Sequence, residues 1–116
     1  VMEAHPEVCF RGLNGRRLDH SKTTAPGVGE RLGALDGHLD DPGAALGRVC
    51  RRLADEPTDA VREADPTADD AVDALGLAVV ARRPVDELRF LPGDADHRDD
   101  EGVPMRMAYW SADPLA

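Results

Sequence analysis

Apolar and polar residues alternate over Val1, Met2, Glu3, Ala4 and His5, which is the period of a buried strand, and the chain is inside that pattern from its first residue. Pro6 suits the first turn of a helix, where its missing amide donor is not needed. Pro6 to Leu13 is therefore expected to be helical until Asn14-Gly15 stops it. The polar stretch RRLDHSKTT reads as extended or looped. Thr24 and Pro26 then signal a second helix, with Val28, Leu32, Leu35 and Leu39 at helical spacing. Gly27, Gly29, Gly33 and Gly37 weaken its propensity, so it needs tertiary support. Asp41-Pro42 opens a third helix, which has Leu46, Val49, Cys50 and Leu53 on one face and Arg48, Arg51, Arg52 and Asp55 on the other. The acidic stretch from Glu56 to Asp65, with Pro57 inside it, reads as linker or frayed helix.

The strongest helical pattern is PTADDAVDALGLAVVARR. Thr67 or Asp65 can cap it, acids sit near its positive end and two arginines near its negative end. PGDADHRDDEG reads as a charged loop, and VPMRMAYW as a last strand, either at a sheet edge or as a docking segment. The order is strand, four helices, strand, which gives an α/β chain that is predominantly helical with a strand at each end. A single domain over residues 1–116 is expected. Two terminal strands are too few for a sheet that supports four helices, so a missing N-terminal segment or a second copy of the chain is expected to complete it.

Composition narrows the function classes. The formal charge is −9, and Lys22 is the single lysine against 13 arginines. That balance disfavours a nucleic-acid partner bound by simple electrostatics without excluding one, because binding by phosphate neutralisation needs a basic surface. An acidic, lysine-poor surface with few aromatics suits a halophilic protein working in concentrated salt; a high-GC codon bias gives the same composition. No apolar run is long enough for a membrane span and no signal-peptide pattern occurs, so a cytoplasmic protein without a membrane partner is expected. Cys9 and Cys50 lack ligand spacing and are expected to be small core residues.

Asp69 and Asp73 stand four apart on the last helix and Asp70 and Asp73 three apart, so their carboxylates project from one side. A hard cation such as Mg²⁺ or Mn²⁺ would relieve their repulsion. The plainer reading is that Asp69 and Asp70 favour the helix N-terminus and Asp73 faces solvent. Glu3 sits in an apolar strand, where an unpaired charge is costly unless one face is wet. A strand carboxylate opposite helix carboxylates is the geometry of a metal-dependent phosphodiesterase. In a regular strand His5 would share Glu3's side, as a proton carrier, an outer ligand or a hydrogen-bonded structural residue. Lys22 in HSKTT is an exception in an arginine-choosing chain and offers a point charge for phosphate or carboxylate. The loop after Pro92 fails as a calcium hand, since Arg98 stands where an acid or amide is wanted and the central glycine is absent.

Taken together, EAHPEVCFRGLNGRRLDHSKTTAPGVGERLGAL, the later DDAVDALGLAVVAR and a weaker match at GVPMRMAYW resemble domain-of-unknown-function family 429, regarded as predicted nucleases of ribonuclease H-like fold. The resemblance implies that Glu3 is the strand carboxylate, Asp70 and Asp73 the final helix carboxylates and Lys22 the loop lysine, around Mg²⁺ or Mn²⁺. His5 and Glu7 fall in the same motif without an assigned role. The early strands of such a sheet, including the one with the leading aspartate, have no counterpart here. The chain is thus expected to be the later part of a ribonuclease H-like domain, truncated at its N-terminus. The function implied is metal-dependent phosphodiester hydrolysis. The alternative is a non-catalytic remnant or interaction module that pairs its N-terminal strand with another chain.

Overall fold

The computed structural model describes residues 2–55, 58–91, 101 and 106–115. Strand β1 is brief, Met2–Glu3, because the chain turns at once into α1, Pro6–Asn14. His5 is the N-cap of α1 and no strand residue, so it does not share a strand face with Glu3. Helix α1 ends where the sequence predicts: Gly15 takes φ 77°, open to glycine without a Cβ penalty, and its N–H bonds Arg11 O. Helix α2, Ala25–Leu35, is capped by the Thr24 hydroxyl, which accepts from the Gly27 amide. Helix α3, Pro42–Asp55, begins under Asp41, whose Oδ1 accepts from the Ala44 amide. The acidic stretch beyond contains a short ordered helix, α4, Asp59–Ala64, capped by Thr58. Helix α5 spans Ala68–Ala81.

After a 3₁₀ turn at Val85–Glu87 come β2, Arg89–Leu91, and β3, Arg106–Tyr109. The sheet order is β1-β3-β2. β3 lies parallel to β1, with Glu3 opposite Met107, and antiparallel to β2, with Phe90 opposite Ala108. The sequence reading is corrected here. The closing strand is central rather than an edge, and a further strand, β2, precedes it. Three residues are too few to display a period, which is why RFL was silent in the sequence. The expected buried opening strand is also corrected: Glu3, on an outer strand of the described sheet, is exposed, as are Ala4 and His5, which lie beyond the strand. The charged loop PGDADHRDDEG lies outside the described residues apart from Glu101.

The chain is mostly helical, and α1 is its hub, packed on α5, α2 and β3; α3 packs on α5 and α2. Cys9, Phe10 and Leu13 from α1 meet Ala34 and Leu35 from α2 and Val72, Val79 and Val80 from α5. Each of the larger side chains removed from water here contributes about 1.5–3 kcal/mol. Cys9 is in the core as expected, with its thiol pushed up to about 11 by burial, whereas Cys50 is exposed. The far end of α5 is tied down by a polar latch: Arg82 donates to His38 O, and Arg83 Nη2 lies 2.7 Å from His38 Nδ1. Arg83 also stacks 4.4 Å from the Trp110 ring centroid, and the His38 ring meets that indole edge-on at 4.8 Å.

Candidate functional site

The polar loop between α1 and α2 would wander without anchors, and two consecutive α2 residues supply them. The Glu30 carboxylate accepts from the Asp19 amide at 2.8 Å and the His20 amide at 3.0 Å. These backbone bonds, that from Asp19 foremost, hold the Glu30 carboxyl below its ordinary value. Arg31 Nη1 donates to His20 O at 3.0 Å and to Gly27 O at 3.1 Å. The loop closes through Thr24 Oγ1, which donates to Ser21 O at 2.7 Å. Gly27 is required at this turn because a Cβ there would overlap the Ser21 carbonyl.

The loop so clamped presents Lys22 to α5. Its Nζ donates to Asp73 Oδ2 at 3.0 Å, with the Asp73 side chain 14 % exposed and Lys22 37 %. The hydrogen bond to Asp73 raises the Lys22 pKa above its ordinary value, first of all causes, and the charges of Asp73, Asp69 and Glu7 act in the same sense. Lys22 is accordingly a fixed cation at neutral pH. The other oxygen, Asp73 Oδ1, is buried and has no hydrogen-bond partner among the described residues. Such an orphaned carboxylate oxygen is costly and demands a donor or a cation. Glu7 stands beside this group and is held by Arg31, whose Nη2 is 2.7 Å from Glu7 Oε2 and whose Nε is 3.3 Å from Oε1.

The expected site residues are thus partly assembled. Lys22 and Asp73 meet. Asp70 is occupied at the helix start, where its Oδ2 accepts from the Thr67 amide at 2.9 Å, the first cause of its lowered pKa. The Thr67 hydroxyl lies 2.6 Å from Asp69 Oδ1 and 3.1 Å from Asp70 Oδ2. Glu3 is exposed on β1. Among the described residues no group of three or more His, Cys, Asp or Glu side chains is gathered for a metal ion, so Glu3, Asp70 and Asp73 are not drawn into one cage. Arg31 and Glu30, which set the loop, carried no role in the sequence reading. One signal was available: Arg31 falls on the apolar stripe with Val28, Leu32 and Leu35, where a charge must have partners.

A family model described as "Protein of unknown function (DUF429)" matches residues 1–97, which include every residue of this cluster. No curated protein and no solved structure matches the chain.

Proposed function

The chain belongs to the family of proteins of unknown function DUF429, and from the pairing of Lys22 with Asp73 we propose that it acts on phosphodiesters, as part of a hydrolytic domain of ribonuclease H-like type. The single observation that carries this reading is the buried Asp73 Oδ1, without a hydrogen-bond partner among the described residues, beside a fixed cation. The parallel pairing of β1 with β3 and an acidic helix behind α1 are compatible with that architecture.

The donor set fits one mode of metal binding and not another. A closed cage of Glu3, Asp70 and Asp73 is not assembled. Mg²⁺ is commonly held by one or two carboxylates, the remaining positions going to water and substrate phosphate, and Asp73 Oδ1, with Asp69 one turn away, suits that mode. When bound, Mg²⁺ or Mn²⁺ supplies charge neutralisation at the phosphoryl oxygens. Lys22, kept protonated by Asp73, cannot serve as a base; its task is to attract a phosphate oxygen and offset charge that grows as water adds to phosphorus and the P–O bond to the leaving group breaks. Asp73 holds the ammonium in place through Oδ2 and offers Oδ1 to orient a water. Arg31 and Glu30 position the loop that carries Lys22.

The test is hydrolysis of bis(p-nitrophenyl) phosphate with Mn²⁺. Asp73→Asn is expected to slow it by about 10²-fold or more and to remove the Mn²⁺-induced rise in Tm, while Asp70→Asn keeps that rise. Equal rates, or equal Tm shifts, in wild type and Asp73→Asn would sink the reading.

A further inference from the structure

The chain is strongly acidic, yet one helix face is not. Arg48, Arg51, Arg52 and Asp55 are all exposed and line an open concavity of about 480 Å³ on α3. Arg48 and Arg51 against Asp55 give this face a positive balance in a chain of −9. Arg51 Nε bonds back to Gly47 O at 3.4 Å, which lays that side chain along the helix. At about 0.1 M salt the Debye length is about 10 Å, so acids beyond that distance are largely screened and the charges nearest this face weigh most on what it meets.

We propose that the outer face of α3 is a docking surface for a polynucleotide backbone, contacted through Arg48 and Arg51 with Asp55 setting a limit on affinity. Arg48 and Arg51 lie about 4.5 Å apart along the helix axis, and a strand of a duplex carries a phosphate roughly every 3.4 Å. The face therefore spans about two successive phosphates. Arginine's planar fork matches phosphate oxygens pairwise, which a lysine would not. A membrane surface is the poorer match, because the four lining residues are all charged and provide no apolar side chain to enter a bilayer. The choice of a polynucleotide among polyanions rests on the phosphodiester reading above, whereas the binding itself does not require Asp73.

The experiment is fluorescence anisotropy of a labelled single-stranded oligodeoxynucleotide, titrated with the chain in EDTA over about 0.05–0.2 M salt. With metal withheld, the assay reads this surface and leaves the Asp73 chemistry out, so the two readings fail separately. Binding is expected to weaken with salt, and each of Arg48→Ala and Arg51→Ala should lower the log–log slope by about 0.7. Asp55→Asn is expected to tighten binding, an effect no folding defect could imitate. An unchanged slope in the Arg48→Ala, Arg51→Ala double variant, weaker binding by Asp55→Asn, or binding to phosphatidylglycerol vesicles in place of the oligonucleotide would each overturn the proposal.

Discussion

Arg31 is charged and its side chain is 3 % exposed, a position that would be ruinous without partners. Its fork reaches Glu7, His20 O and Gly27 O, so α1, the Lys22 loop and α2 depend on one guanidinium. Lysine has no such fork. Arg31→Lys is therefore expected to cost about 2–3 kcal/mol in urea unfolding, with Glu7→Gln costing less because the Glu7 carboxylate is partly in water. Equal losses in the two variants would mean that the carbonyl contacts contribute nothing. The same scale explains what the sequence could display. Lys22 stood out because the chain otherwise chooses arginine, and its partner Asp73 stood out by spacing on α5. Asp70 was ambiguous in kind: an acid at the start of a helix suits a cap as well as a cation, and only the Thr67 amide at 2.9 Å decides between them. Arg31 was hidden because periodicity marks where a charge is buried without naming its partners.

Helix punctuation was the most legible part of the fold. Thr24 and Asp41 accept from the first turns of their helices and Gly15 ends α1, as the sequence signals, whereas the Thr58 cap of α4 lies in a stretch that reads as linker or frayed helix. The sheet was the least legible, because β1, β2 and β3 are two, three and four residues long and gain their identity only by pairing. The glycines of α2 and α5 look alike in sequence and differ in their surroundings. A Cβ at Gly29 meets nothing within 4 Å, whereas one at Gly76 would lie 2.6 Å from the Phe10 ring. Phe10 is wholly buried, so α1 and α5 have no slack at that crossing. Gly29→Ala is accordingly expected to stabilise by about 0.4–1 kcal/mol, and Gly76→Ala to destabilise by about 1–3 kcal/mol. Thermal melts of the two variants check this, and a shift of the same sign in both would refute the packing argument.

For the whole molecule, local contacts and net charge oppose one another in acid. Burial first, then Arg83 and Arg82, lowers the pKa of His38 below its ordinary 6.5, and hydrogen bonds lower those of Glu30 and Asp70. As pH falls below 6.5 the unfolded chain takes up the His38 proton before the folded one does, so the stability held above that value is lost through the folded pKa. The carboxylates add a second loss below their ordinary 4.5 and 3.8. Lys22 runs the other way: its raised pKa gives stability that is present below 10.5 and lost as pH rises through the folded value. Against the acid loss stands relief of self-repulsion as the −9 chain approaches its isoelectric point of about 4.7. That relief acts through space and is screened by salt, whereas the His38–Arg83 contact, at 2.7 Å and partly buried, is screened much less. In about 0.5 M salt Tm is therefore expected to fall between about pH 7 and pH 5.5, and in dilute buffer the fall should shrink or reverse. Trp110 sits against both His38 and Arg83, so its fluorescence follows the same step directly. His38→Gln should flatten the high-salt limb; a fall that persists unchanged in that variant would assign the acid sensitivity elsewhere.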